Sequence, residues 1–370
     1  MKVAQFEPYI GEEEYEAIKD CFDTKWLTEG PKAKEFNTAL CKLLGVEYGV
    51  FAPNGTLALY LGLRALGLGP GDEVIVPDFT FIASANAVEM AGATPVFVDI
   101  NLEDLQININ GCKNALTERT KAIMPVHMYG MATNMDEVTS FAAENNLFII
   151  EDAAQALGVK WKGKSCGSFG DVACFSFFAD KTLTTGEGGF VTTNNEKIYD
   201  RLCYLRNQGR KHRGTFQHPE IGYNFRMTDI QMAIGLTQLK KLDTIITLKN
   251  KIFNMYVEQL SGLEEISIIQ PKKEVSPFIP FRVVALTEDK SDSLIKYMYE
   301  KGVETRTFFF PLHLQTCYKN KYSGNKIVNS IRAYEHGVCL PSYPLLSEEA
   351  VIYVCDIIKE YYNKEREKQL

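Results

Sequence analysis

Short apolar runs separated by amphipathic stretches dominate the chain between residues 70 and 195. The runs fall at 73–76, 95–99, 122–126, 147–150, 172–177 and 189–193. They are too short for buried helices and show little polar alternation, so they read as strands covered on both faces. Helical periodicity precedes and separates them, at 56–66 and 135–145. This alternation predicts an α/β fold, a mostly parallel sheet with helices on both sides. Upstream, 11–22 reads as a helix with Tyr15, Ile18 and Phe22 on one face. Residues 31–44 read as another, with Pro31 at its start and Gly45 just past its end. The segment 228–242 and the stretch after it, to about residue 260, read as long helices. A strand (280–286), a helix (291–301), a strand (303–308) and a final helix (347–361) follow. Two domains are expected: a large one over 1–245, including the N-terminal helical segment, and a smaller C-terminal α/β one over 246–370. The polar, glycine-containing stretch 206–214 reads as a surface loop.

Composition narrows the class. The 370 residues are 45% apolar and 24% charged, an ordinary balance for a chain with a large core. A formal charge of −7 argues against general nucleic-acid binding, so an anionic ligand must be met by local basic groups. The nine cysteines form no CxxC pair and no metal spacing; reduced thiols are expected, not a disulfide framework. The first residues lack the apolar stretch of a signal peptide, and no apolar run reaches membrane-spanning length. A cytoplasmic protein with no nucleic-acid, membrane or metal partner is expected.

In sheets of this kind ligands collect beyond the carboxyl ends of the strands. His127, Asp152 and Lys181 all fall at or just after such ends. Lys181 lies in FSFFADKTLTTGEGG; Asp152 and Gln155 lie in LFIIEDAAQALG. Alone, the lysine reads as a loop cation and the aspartate as a helix cap. Together they match pyridoxal phosphate chemistry, in which an amine forms a Schiff base with the cofactor aldehyde and a carboxylate keeps the pyridine nitrogen protonated. Gln155, three residues on, shares a face with Asp152 if a helix starts there, and its amide suits the phenolic oxygen. The neighbouring Glu151 points elsewhere. Gly55 and Thr56, in PNGTLAL, open a helix whose free N–H groups suit a phosphate or make a plain capped turn. In DFTFIASANAV, Phe79 and Phe81 are either stacking or core aromatics. Ser176 is a hydroxyl donor for the phosphate, and TTGEGG is either a close backbone approach or a hairpin turn. Asn224 and Arg226, ahead of the 228–242 helix, belong either to an anion site or to a structural loop.

These segments, with GATPVFVDI, VHMYG, GYNFRMTDIQMAIGLTQL, FFPLHLQ and LPSYPLL in the same order, resemble the DegT/DnrJ/EryC1/StrS family of pyridoxal-phosphate sugar aminotransferases. The resemblance spans nearly the whole chain. It implies a fold type I, aspartate-aminotransferase-like homodimer with active sites at the subunit interface. By the family pattern Lys181 is the Schiff-base lysine and catalytic acid–base, Asp152 the ring-nitrogen partner, and Gln155 the ring-oxygen partner. Gly55, Thr56 and Ser176 would hold the phosphate, which Asn224 would reach from the other subunit with Arg226 nearby. Phe81 takes the place of the stacking aromatic, and His313 looks toward the sugar. Around the lysine, many members read Pro-Thr-Lys-Asn or Pro-Gly-Lys-Asn, whereas this chain reads Ala179-Asp180-Lys181-Thr182. Its form is more similar to the perosamine-synthase-type branch, which aminates C4 of a 4-keto-6-deoxy sugar nucleotide.

The resemblance implies ping-pong transfer from L-glutamate, released as 2-oxoglutarate, through pyridoxamine phosphate to the keto sugar. Arg226, Arg306 and the 206–214 stretch are the cations expected to meet the nucleotide. A 3-keto sugar nucleotide is the alternative substrate. A non-catalytic cofactor-binding regulator is a further alternative, disfavoured by the intact Lys181, Asp152 and Gln155. A sugar dehydratase resembling this pattern would carry histidine in place of Lys181.

Overall fold

The computed structural model describes every residue except 211–213, 215, 322–325 and 370, and all described side chains but that of residue 369. The chain opens with helices α1 (Glu12–Asp23) and α2 (Pro31–Leu44), then strand β1 (Tyr48–Ala52) and α3 (Gly55–Ala65). Next come β2 (Glu73–Pro77), α4 (Ala83–Met90), β3 (Thr94–Val98), α5 (Ile109–Ala115), β4 (Thr120–Ile123), α6 (Met135–Asn145) and β5 (Phe148–Asp152). A small hairpin, β6 (Lys160–Trp161) and β7 (Lys164–Ser165), leads to β8 (Val172–Ser176) and β9 (Gly189–Thr193). Helices α7 (Glu196–Arg206), α8 (Asp229–Lys240) and α9 (Leu242–Gln259) follow. The rest is β10 (Ile266–Ile268), β11 (Val283–Thr287), α10 (Asp292–Glu300), β12 (Arg306–Thr307), α11 (Asn329–His336), β13 (Gly337–Leu340) and α12 (Glu348–Gln369).

The principal sheet has seven strands in the order β1-β9-β8-β5-β4-β2-β3. Its β3, β2, β4, β5 and β8 pair in parallel; β9 alone runs against its neighbours β8 and β1. The continuous apolarity of the strands has a direct cause. On β8, Ala173 and Phe175 enter one core with α2 and α6, while Val172 and Cys174 enter the other with α3 and α4. Each strand therefore buries both faces, which only apolar side chains tolerate. The second sheet, β10-β11-β13-β12, is antiparallel and backs onto α9 and α12. The N-terminal segment lies beside it, with Val3 bridging to Val303 in the stretch just before β12.

Helix α2 shows how caps arise from distant sequence. Its N-cap Gly30 has no side chain, so Asp229 at the start of α8 accepts the N–H groups of Gly30 at 2.8 Å, Lys32 at 3.2 Å and Ala33 at 3.2 Å. Its other end stops at Gly45, whose φ of 67° suits the left-handed cap. Helix α1 forms where expected, but the Tyr15–Phe22 face points outward. Glu14 and Cys21 are the buried residues, and Tyr15 and Phe22 are 61% and 59% exposed. Gln238 and Lys241 hold the Glu14 carboxylate, which fixes that rotation.

Candidate active site

Lys181 follows β8 in a turn closed by its N–H donating to the Phe178 carbonyl at 2.9 Å. It lines a cavity of about 410 Å³ together with Gly55, Thr56, Phe81, Asp152, Gln155 and Ser176. Seven positions scattered from 55 to 181 in the sequence thus meet at the carboxyl ends of β5 and β8. Nζ stands 3.5 Å from Asp180 Oδ1 and 4.3 Å from the centre of the Phe281 ring. Burial, helped by the Arg282 guanidinium, lowers the lysine's pKa against the opposing pull of Asp180 and Asp152. A lowered pKa leaves more of the amine unprotonated and nucleophilic near neutrality.

Asp152 ends β5. Its Oδ2 accepts the Ser84 hydroxyl at 2.7 Å and its Oδ1 the Ala154 N–H at 3.1 Å. Burial pushes its pKa up. A protonated ring nitrogen beside it would supply the missing countercharge. Gln155 Oε1 accepts the Tyr129 N–H at 2.8 Å, which leaves the amide NH₂ free to donate to an oxygen. Glu151 turns to the other face of the strand, as the alternation of a strand requires. There it accepts the N–H groups of Gly167, Phe169 and Gly170, each at 2.7 Å, and lies 3.0 Å from His127 Nε2. Because His127 Nδ1 accepts the Thr133 N–H at 3.1 Å, the ring proton sits on Nε2 and points at Glu151. His127 is therefore a structural residue outside the cavity lining.

Asn54, Gly55, Thr56 and Ser176 line the same cavity and form its candidate anion cradle. Asn54 caps α3 by accepting the Leu57 N–H at 3.0 Å, leaving the first turn's N–H groups facing the cavity wall. A Cβ on Gly55 would come within 2.9 Å of Ser176 Cβ, so only glycine permits this approach. Carboxylate, amide, amine and cradle together fit pyridoxal phosphate. Gly55→Ala is expected to weaken cofactor binding about tenfold, a cost of about 1.4 kcal/mol, measured by titrating the apoprotein with the cofactor. Unchanged affinity would remove Gly55 from the cradle.

The remaining candidates separate cleanly. Phe79 is core, packed on Tyr129 and Phe308, whereas Phe81 is 55% exposed and lines the cavity. Arg306 also lines it and makes no ion pair with a described residue. Asn224 is exposed and outside the lining of its own chain's cavity, as is Arg226, whose Nη2 donates to Asn207 Oδ1 at 2.5 Å. His313 is buried against Asp78, Nδ1 to Oδ2 at 2.8 Å, and does not line the cavity. The surface-loop expectation for 206–214 needs correcting at its first residue. Arg206 ends α7, pairs with Glu29, and donates to the Phe51 and Phe225 carbonyls at 2.9 and 3.0 Å, so it is not a surface cation. Lys211, His212 and Arg213 lie outside the described residues. Sequence reasoning missed Ser84, Asp180, Phe281 and Arg282. Ser84 stood within DFTFIASANAV as one of two hydroxyls, Thr80 being the other, with nothing local to mark it as the partner of Asp152. Nothing in sequence linked Phe281 or Arg282 to Lys181.

Comparisons with known proteins agree with this geometry. The chain is 40% identical over 362 residues to the GDP-perosamine synthase of Escherichia coli O157:H7, covering 97% of this chain and 98% of that one. It is 37% identical over 366 residues to the GDP-perosamine synthase of Vibrio cholerae, covering 97% and 98%. Among solved structures, Spr1654 from Streptococcus pneumoniae in its PLP form superposes with a TM-score of 0.94 at 29% identity, over 98% of this chain and 99% of that one. Residues 8–359 match the family model, and the chain belongs to the DegT/DnrJ/EryC1/StrS aminotransferase family.

Proposed function

We propose that this protein is a pyridoxal-phosphate-dependent aminotransferase that moves the amino group of L-glutamate to C4 of GDP-4-keto-6-deoxymannose. The observation that carries the reading is the meeting of Lys181 and Asp152 in one cavity with the Gly55–Ser176 anion cradle. Near-full-length similarity to two GDP-perosamine synthases supports the sugar and the nucleotide. When bound, the cofactor supplies an electron-accepting ring and a carbon that carries the amino group between donor and acceptor. The chain's own residues do the rest. Asp152 holds the proton on the ring nitrogen, and Gln155 donates to the ring oxygen. Gly55, Thr56 and Ser176 anchor the phosphate. Nζ of Lys181 takes a proton from the donor and returns one to the acceptor carbon. Arg306, which lines the cavity and forms no ion pair with a described residue, is the cation proposed to meet the nucleotide diphosphate.

The active unit is proposed to be a homodimer. Asn224 and Arg226 stand outside their own chain's cavity, where a partner's site could receive them. Tyr15, Phe22, Trp26 and Leu27 also expose large apolar side chains close together in sequence, which a partner surface would cover.

An absorbance experiment tests the reaction. The purified holoprotein is expected to show the band of the lysine-bound cofactor, to lose it with L-glutamate, and to regain it with GDP-4-keto-6-deoxymannose. Loss without return would keep the aminotransferase and transfer the assignment to another keto sugar nucleotide, a 3-keto isomer included. No band after adding the cofactor would sink the reading.

A further inference from the structure

Asp180 precedes Lys181 in the turn after β8, and its two carboxylate oxygens have different fates. Oδ2 accepts from Arg282 Nη2 at 2.6 Å. Arg282 is itself fixed, because its Nη1 donates to Gln5 Oε1 at 2.8 Å. Arg282 leads into β11 of the second sheet, and Gln5 belongs to the N-terminal segment beside it. The second sheet and the N-terminal segment therefore grip the loop that carries Lys181. Oδ1 is buried and makes no hydrogen bond with any described residue. It lies 3.5 Å from Lys181 Nζ. A buried acceptor without a donor is costly, and here the lysine amine is the donor within reach. Phe281 closes the opposite side, with Nζ 4.3 Å and the Arg282 guanidinium carbon 4.9 Å from its ring centre. Nζ is left to turn into the large cavity or back onto Oδ1.

We infer that Asp180 is a positioning residue for Lys181: held by Arg282 and Gln5, its carboxylate receives the lysine ammonium on Oδ1 whenever Nζ is not bonded to the cofactor. Its part in turnover rests on the aminotransferase reading above; its contact with Nζ does not. A lysine that shuttles protons must be protonated and deprotonated in turn without leaving reach of the reacting carbon. Oδ1 gives the protonated amine a fixed station beside the cavity. Arg282 keeps that station from becoming a trap, since its positive charge opposes protonation of Nζ while it holds the carboxylate. The other charged groups facing this lysine are Asp152, Glu187 and Arg306 across the large cavity, and Glu7 and Lys249 in the small space behind it. Lys249 is itself held down to about 8 by burial and by Arg282.

Two substitutions with opposite expected signs test the arrangement. Asp180→Asn keeps the size and an acceptor for Arg282 but removes the negative charge. Arg282→Met removes the opposing positive charge. Two midpoints are read. In the holoprotein it is the pH at which Nζ loses its proton while bonded to the cofactor, followed by the absorbance band. In the apoprotein it is the pH at which Lys181 becomes reactive to acetic anhydride, followed by peptide mass. Asp180→Asn is expected to lower both midpoints by about one pH unit, and Arg282→Met to raise them by about as much. Arg282→Lys, which retains the charge, is expected to stay near the parent value. Loosened packing alone would not move the two variants in opposite directions. Shifts of the same sign, or midpoints within about 0.2 units of the parent in both variants, overturn the proposal. If the apoprotein midpoints separate as expected but the parent forms no lysine-bound band, the Asp180 contact stands and the aminotransferase reading falls.

Discussion

Replacing Lys181 by alanine is expected to lower turnover by roughly four orders of magnitude, the upper range for removal of a positioned acid–base group. Among the described residues no other lysine lines the main cavity, so none of them stands ready to take over. Lys249 is the nearest alternative by placement, but it lines the small space behind, and its amine donates to the Phe281 carbonyl at 3.2 Å. The variant is expected to fold, because Lys181 makes one ion contact and no element depends on its side chain. Its cofactor affinity is expected to survive in part through Gly55, Thr56 and Ser176, with the absorbance of the free aldehyde replacing that of the lysine-bound form. Added methylamine is expected to restore a small fraction of the rate by supplying the missing base in solution. Stopped-flow absorbance with L-glutamate measures both effects. Turnover within tenfold of the parent would show that another group moves the proton and would remove Lys181 from the mechanism.

The parts of the fold legible in sequence are those where one local cause dominates. The six apolar runs became strands because both sheet faces are buried, and α2 kept its limits because Pro31 and Gly45 mark its ends. Edges were harder. Among the described residues strand β1 pairs only with β9, and Gly49, its second residue, dilutes the apolar signal. The expected strand at 303–308 shortened to Arg306–Thr307, an edge strand paired only to β13, although Val303 and Phe308 remain buried beside it. The final helix runs past residue 361 on ion pairs such as Glu360–Lys364 and Arg366–Glu265, which extend a polar tail where apolar periodicity ends. The site divides in the same way. Lys181, Asp152, Gln155 and Gly55 sit in short segments whose strand–turn–helix context announces them. Arg282, held in turn by Gln5, reaches the loop of Lys181 only because the second sheet and the N-terminal segment fold back on it. That placement is tertiary and leaves no local trace.

The carboxylate of Asp152 is expected to matter almost as much as the lysine, and by a separable route. Asp152→Asn preserves shape: its amide oxygen can still accept from Ala154, and its NH₂ can donate to the Ser84 hydroxyl in place of the present 2.7 Å bond. What it removes is a negative charge at the end of β5, where burial already opposes ionisation. Without that charge the ring nitrogen has no reason to keep its proton, and the ring withdraws electrons weakly. Loss of one preorganised electrostatic partner costs on the order of 10²–10³ in kcat, and KM for either substrate is expected to change little if Asp152 serves the cofactor ring as proposed. The melting temperature of the apoprotein is expected to hold or rise, because the charge removed is buried and forms no close ion pair with a described residue. Ser84→Ala, which weakens the support but leaves the charge, is expected to cost only several-fold in kcat. Steady-state kinetics and melting curves on the two variants separate charge from scaffold. A Ser84 loss as large as that of Asp152 would mean that the hydroxyl's placement, not the carboxylate's charge, governs the ring.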